Sequence, residues 1–84
     1  MISEIIIPSI SLSTAPEKEL LHLLAVENKH LALKLMEMGC MPGMKIEKIC
    51  TAVGKGPVMI KLLPFGNLLA LRFEEAEQLM VQCQ

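Results

Sequence analysis

The sequence predicts a mainly β fold, a small barrel of short strands accompanied by one α-helix. Apolar and polar residues alternate in several short segments, and Gly and Pro turns separate these segments. The chain has only 84 residues, and closure of such a small sheet into a barrel removes edges that it would otherwise expose. We therefore expect a single domain with no room for a large active-site cleft.

Composition excludes several classes of function. The chain is 52% hydrophobic and 20% charged, which is typical of a folded globular domain. It contains two Phe, no Tyr, no Trp and no Asp, so it lacks the usual stacking residues of single-stranded nucleic-acid binders and the commonest partner in catalytic triads. The net charge of −1 argues against general binding of polyanions. We expect no nucleic-acid partner.

Cysteine usage and hydropathy predict a cytoplasmic protein. The chain has three cysteines, Cys40, Cys50 and Cys83. An odd number of cysteines with no two close together in the sequence is typical of a protein from a reducing compartment. The N-terminal residues lack the basic and then continuously apolar pattern of a signal peptide. The longest nearly uncharged apolar run, residues 20–26, is far shorter than the roughly 18–20 residues that span a bilayer.

Residues 1–11 form an N-terminal arm or edge strand in this prediction, and residues 12–84 form the single domain. Ile5, Ile6 and Ile7 are β-branched and favour a strand, whereas Pro8 and the Ser-rich stretch after it loosen the chain. An unpaired strand at Ile5–Ile7 could add to the sheet edge of a neighbouring copy, so we expect that a homodimer can form.

Local patterns leave residues 16–38 open between two structures. One is a single long helix that begins near Pro16 and ends at Gly39, which periodicity alone slightly favours. The other is a strand over Glu19–Val26 followed by a short helix over about residues 30–38. In the short helix, Leu31, Leu35 and Met38 would share one face.

The remaining elements follow from turn chemistry and alternation. Gly39 can take the left-handed conformation that closes a helix, and Pro42–Gly43 suits a type II turn. The slip in alternation at Lys48 predicts a β-bulge. The further predicted elements are a strand from Met44 to Ile49, a loop over 52–57, strands over 58–62 and 68–73 joined by a turn at 64–67, a helical turn over 74–76 and a closing strand over 79–81.

Residues 43–73 are mildly basic, with five cations against Glu47 alone. A solvated strand face is the simplest interpretation of this excess. Four methionines cluster around the predicted helix end and the turn, and Met38 and Met44 fit inward positions.

The stretch from Leu31 to Val81 resembles the FeoA family of small ferrous-iron transport proteins. The resemblance rests on four signals in order: Lys34, Leu35 and Gly39 at the helix end, Pro42–Gly43, the loop from Ala52 to Pro57, and Ala70-Leu71-Arg72 followed by Glu74-Glu75-Ala76. The sequence departs from the family pattern at Glu17, in the reduced basic run of the helix, and in the loop Ala-Val-Gly-Lys-Gly-Pro.

The resemblance implies an SH3-like barrel, with Glu19–Val26 as its first strand and one short α-helix at about residues 30–38. It also implies a non-catalytic accessory of ferrous iron transport that contacts the cytoplasmic region of the FeoB-type membrane permease. A similar barrel occurs in iron-dependent repressors, so the alternative function is a metal-responsive binding module.

Catalytic and metal-binding patterns are weak. His22 and His30 are eight residues apart, and the cysteines are ten and thirty-three apart, so no short chelating pair is present. We expect no catalytic residue, no cofactor and no metal ligand.

Once catalysis and metal binding are set aside, the function class that remains is binding to another protein. Methionine side chains make adaptable contacts, and exposed cations steer encounters. The predicted partner-contact residues are Met36, Met41, Lys55, Lys61 and Phe65.

Overall fold

The computed structural model describes residues 9–83, which form a six-stranded antiparallel sheet with one short α-helix. Its elements are β1 (Ile10–Ser11), a 3-10 turn (Leu12–Thr14), β2 (Leu20–Val26), α1 (Lys29–Glu37), β3 (Lys45–Thr51), β4 (Val58–Leu62), β5 (Asn67–Leu71), the single helical turn α2 (Phe73–Ala76) and β6 (Leu79–Cys83). The predicted mainly β class with one short helix is confirmed. The predicted strand at Ile5–Ile7 lies outside the described residues.

The strands follow the order β1-β6-β2-β3-β4-β5. Each neighbouring pair is antiparallel, with Leu21 of β2 facing both Ile46 of β3 and Cys83 of β6. The sheet encloses a core of fully buried side chains: Leu12, Leu21, Leu23, Leu35, Cys40, Ile46, Val58, Ile60, Ala76, Leu79 and Val81. Within residues 9–83, β1 and β5 stand at the two ends of this order. The expected removal of all edges by closure is therefore wrong, because β1 and β5 each pair with one neighbour only in this part of the chain.

Residues 16–38 contain a strand and a short helix, so the long helix favoured by periodicity is wrong. Leu21 and Leu23 alternate into the core while β2 pairs with β3 on one side and β6 on the other. The helix α1 begins after Asn28, whose side-chain Oδ1 accepts a 3.0 Å hydrogen bond from the backbone N–H of Leu31. Two ladders of backbone hydrogen bonds outweigh the helical preference of Leu and Ala in β2.

The bulge predicted in β3 is confirmed, because the register between β3 and β4 shifts between Lys48 and Cys50. The solvated strand face is wrong for Lys48, which is 3% exposed. The return strand β5 ends at Leu71, earlier than predicted, and Phe73 begins α2. No helix in residues 9–83 combines the length and apolarity that a bilayer span requires.

Candidate protein-contact site

An apolar groove of about 240 Å³ lies between the end of α1 and the β4–β5 hairpin. We call it the hairpin groove. Its lining residues are Met38, Gly39, Met44, Leu62, Leu63, Pro64, Phe65 and Asn67. Two chain reversals, one at each wall, hold these side chains in place.

The end of α1 forms the first wall. Gly39 has φ +85°, and the backbone N–H of Cys40 returns to the carbonyl oxygen of Leu35 at 2.8 Å. This closure buries Cys40 completely and leaves Met38 39% exposed. The predicted inward position of Met38 is therefore wrong, because the helix ends at Glu37 and Met38 leaves its buried face.

The turn after the helix positions Met44. Gly43 has φ +97°, and the N–H of Met44 donates to the carbonyl oxygen of Met41 at 3.3 Å, as expected for the predicted Pro-Gly turn. The N–H of Gly43 is anchored to the carbonyl oxygen of Leu23 at 2.8 Å. Met44 is half-buried and packs against the core, so its predicted inward position is confirmed.

The β4–β5 hairpin forms the second wall and places Phe65 at the rim. Leu62 faces Asn67 in the last rung of the ladder, and the N–H of Gly66 donates to the carbonyl oxygen of Leu62 at 2.7 Å. The side chain of Phe65 is 90% exposed. An aromatic ring held this far into solvent beside a groove is typical of an interaction site rather than of a folding core.

A second groove of about 320 Å³ continues from the first. It shares Met44, Leu63 and Pro64 with the hairpin groove and adds Gly43 and Lys45. Lys45 is the only charged residue that lines either groove in the described part of the chain. The combined surface thus suits an apolar segment that carries a carboxylate at its edge.

The predicted contact residues fall in different places. Phe65 lines the hairpin groove, whereas Met36 is exposed on α1 and Met41 is exposed in the neighbouring turn. Lys55 lies in the β3–β4 loop at the opposite end of β4, with its Nζ 5.9 Å from the centroid of the Phe73 ring. Lys61 is half-buried in β4, opposite Glu47 and Leu68.

The burial of Lys48 was not predicted from the sequence. The Nζ of Lys48 donates hydrogen bonds to the carbonyl oxygens of Ser13 at 3.1 Å and Ala15 at 2.8 Å. Burial lowers the pKa of Lys48, an effect that the nearby charge of Glu17 partly opposes. Strict alternation from Ile46 would have placed Lys48 on the inner face.

An open cleft of about 280 Å³, lined mostly by polar residues, lies between α1 and α2. There the Nζ of Lys34 donates to Oε2 of Glu75 at 3.0 Å, and the N–H of Arg72 donates to Oε1 of Glu75 at 2.9 Å. The hydrogen bond from Arg72 and then the bond from Lys34 lower the pKa of Glu75. This carboxylate therefore serves to join the two helical elements.

The side chains that could ligate a metal do not gather into one site in the described residues. Residues 9–83 contain no group of three or more His, Cys, Asp or Glu side chains placed to hold one metal ion. Cys40 is buried, whereas Cys50 and Cys83 are exposed. Burial raises the pKa of the Cys40 thiol.

Solved structures share this fold. The chain has 23% identity to an iron uptake regulatory protein (FeoA), with a TM-score of 0.76 over 92% of this chain and 99% of that one. It has 24% identity to Stenotrophomonas maltophilia FeoA complexed with zinc, with a TM-score of 0.71 over 87% and 89% of the two chains. That protein is described as a procaryotic SH3 domain protein and is suggested to be a ferrous iron transport activating factor. The predicted SH3-like architecture is thereby confirmed.

The same fold occurs in a regulator of transcription. A manganese-dependent transcriptional repressor is 10% identical, with a TM-score of 0.81 over 92% of this chain and 37% of the repressor. Comparison with curated protein sequences gives no match. The FeoA domain profile matches residues 10–83, which is nearly the whole described chain. Sequence profile and architecture agree, and the chain belongs to the FeoA family.

Proposed function

We propose that this protein is a non-catalytic, cytoplasmic accessory of ferrous iron transport, and that it acts by binding another protein through the hairpin groove. The partner in this proposal is the cytoplasmic region of a FeoB-type permease. Family membership supports the link to iron transport. The single observation that supports a contact role is the 90% exposed ring of Phe65 at the rim of an apolar groove.

The groove suits a particular kind of contact. A partner side chain that fills the space between Met38 and Pro64 would also cover Phe65. Full burial of one large apolar side chain is worth about 1.5–3 kcal/mol. Lys45 would then meet an acidic residue next to the inserted apolar one. Met36 and Met41 would extend the apolar contact around the helix end.

The lysines have a different role in this proposal. Lys55 is exposed and Lys61 is half-exposed, and neither lines the hairpin groove. Exposed cations change association rates more than they change contact energy. Lys55→Gln and Lys61→Gln should therefore slow association at low salt and leave dissociation unchanged.

The proposal is tested by titrating the purified permease cytoplasmic region into the isotopically labelled full chain and following amide shifts. We expect shifts at residues 38–45 and 62–67. Phe65→Ser should weaken binding about ten- to hundredfold. Val53→Ser, at a fully exposed position in the opposite loop, is the matched control and should bind like the wild type.

Three outcomes would contradict the proposal in different ways. The absence of any shift would remove the permease as the partner. Wild-type affinity of Phe65→Ser, together with weakened binding of Met36→Ser, would move the contact from the groove to α1. Tight saturable binding of ferrous iron to the chain alone would favour the metal-responsive module, the function associated with the repressor that shares its fold.

A further inference from the structure

The strand β5 is an edge strand without the usual protection. Within residues 9–83 it pairs only with β4, over all five of its residues and without a register shift. Its sequence, Asn-Leu-Leu-Ala-Leu, contains no charge and no Pro. Natural edge strands are normally blunted by a charge, a Pro, a bulge or very short length. The other end of the sheet follows this rule, since β1 has only two residues.

The side chains of β5 divide cleanly between two faces. Leu71 is buried and Leu69 packs against the core, whereas Leu68 is 62% exposed and Ala70 is also exposed. On the outer face, Leu68 adjoins Lys61 and Ala70 adjoins the half-buried Met59 of β4. On β5 itself the outer face is therefore apolar up to the open edge, and the charge that adjoins it on that face is Lys61 of β4.

The strand is complementary to itself. In an antiparallel pair related by a twofold axis, directly opposite residues point to the same face. Pairing centred on Leu69 satisfies this rule and uses the full strand: Leu68 lies opposite Ala70 of the second copy, and Asn67 lies opposite Leu71. No like charges meet in this register, and like charges directly opposite would destabilise it.

We propose that β5 is a homodimer interface, in which two copies pair their β5 strands antiparallel about Leu69 and form one continuous sheet. On the outer face, two rows then cross the joint, each running from Lys61 and Leu68 of one copy to Ala70 and Met59 of the other. A twofold contact uses the same patch on each partner, and an uncharged, self-complementary edge meets that requirement. This inference does not depend on the proposed contact with the permease: the residues that its test changes, Leu68 and Ala70, do not line the hairpin groove, which β5 reaches only at Asn67.

The first test measures mass by sedimentation equilibrium across protein concentration. The wild type should pass from monomer to dimer. Leu68→Lys with Ala70→Lys should remain monomeric, because each Lys would lie opposite a Lys of the second copy. Leu33→Lys with Val53→Lys adds the same charge at other exposed positions and should dimerise like the wild type.

Charge reversal distinguishes pairing from damage to the fold. Mixing the double-Lys variant with Leu68→Glu/Ala70→Glu should restore a dimer, because both pairs between positions 68 and 70 then join opposite charges. A wild type that stays monomeric up to about 1 mM, where the binding free energy is only about 4 kcal/mol, would overturn the proposal. Failure of the mixture to associate would overturn it as well.

The second test measures register in a Cys50→Ser/Cys83→Ser background, which leaves only the buried Cys40. Opposite residues of an antiparallel pair have Cα atoms about 4.5–5.5 Å apart, within the range for a disulfide. A mixture of Leu68→Cys with Ala70→Cys should therefore give several-fold more disulfide-linked dimer than either variant alone. Equal cross-linking in all three samples would overturn this register.

A different occupant of the edge would give a different pattern. If the N-terminal arm of a second copy added to a sheet edge, Ile6→Lys would abolish the dimer while the double-Lys variant of β5 retained it. That result would overturn pairing between two β5 strands. We expect Ile6→Lys to dimerise like the wild type.

Discussion

The Nζ of Lys48 donates a 2.8 Å hydrogen bond to the backbone carbonyl oxygen of Ala15 inside the barrel. A second bond, to Ser13, completes a bridge from β3 to the segment that leads into β2. The backbone reinforces this bridge, since the carbonyl oxygen of Lys48 accepts from the N–H of Lys18. One buried cation thus organises a stretch that has little regular structure of its own.

Lys48→Met should destabilise the protein by about 1–3 kcal/mol. The substitution keeps an apolar stem of similar length but leaves two inward carbonyl groups without their donor. Lys45→Met, at an exposed position of the same strand, is the control and should change the free energy of unfolding by no more than about 0.5 kcal/mol. Urea unfolding of both variants measures the difference. Equal stability of Lys48→Met and wild type would show that the free-energy cost of desolvating the Lys48 charge equals the stabilisation from its two hydrogen bonds.

Stability should also depend on pH through Lys48. Its pKa in the folded protein is lower than the ordinary 10.5, so the unfolded chain binds more protons between these two values. The free energy of unfolding of the wild type should therefore rise, relative to Lys48→Met, as pH increases through the folded pKa toward 10.5. The comparison removes contributions from other groups. A difference that falls with pH in this window would mean that the folded pKa is not lowered.

The Glu75 carboxylate should stabilise the protein only above acidic pH. Its folded pKa is lower than the ordinary 4.5, so its contribution is present above 4.5 and disappears as pH falls through the folded pKa. Glu75→Gln should cost about 0.5–1 kcal/mol at neutral pH and nothing in strong acid. Glu74→Gln, in the same first turn of α2, is the control and should show a smaller effect. A constant difference at all pH values would assign the effect to packing.

The three thiols should differ in reactivity. Cys50 and Cys83 are exposed and Cys40 is buried with a raised pKa. Because the thiolate is the reactive form, a chromogenic disulfide reagent should label two thiols rapidly in the folded protein and the third only on unfolding. Cys50→Ser should leave one rapid thiol. Three rapid thiols in the folded wild type would show that the helix end opens readily and exposes Cys40.

Gly39→Ala should destabilise the protein by about 1–2 kcal/mol. Nothing lies within 4 Å of a Cβ built at Gly39, so the cost comes from its φ of +85° rather than from a clash. Gly39→Asn should recover part of the loss, since Asn tolerates this conformation better than Ala. Thermal unfolding of the three proteins provides the measurement. Equal stability of Gly39→Ala and wild type would mean that the helix end relaxes to another conformation.

Different parts of the fold were predictable for different reasons. The turn at Pro42–Gly43 and the bulge in β3 depend on local dihedral preferences and on alternation, and both were predicted correctly. The choice between strand and helix in residues 20–26 came from the family resemblance, because local propensity favoured a helix. Pairing of β2 with β3 and with β6 outweighs that propensity. Local propensity cannot report this pairing, because β6 lies more than fifty residues away in the chain.

In the candidate site, too, some residues were predictable from the local sequence and others depend on contacts between distant parts of the chain. Phe65 was among the contact residues predicted from sequence, because it lies in the turn Pro64-Phe65-Gly66-Asn67. Met38 was assigned to the core, since its place on the lining of a groove depends on where α1 ends and on what the β4–β5 hairpin brings opposite it. Lys48 was counted as surface charge, although its alternation with Ile46 pointed inward.

By itself, the sequence determined where the chain turns, which short segments alternate, and which family the order of those signals resembles. These features depend on single residues and near neighbours, whose φ and side-chain polarity act over a few positions. Tertiary structure alone decided that Lys48 is buried, that a groove opens beside Phe65 and that β5 is left as an edge. It is also pairing with β3 and β6 that holds β2 as the strand that the resemblance implied. Each of these depends on contacts between residues distant in the chain, and such contacts exist only once the barrel has formed.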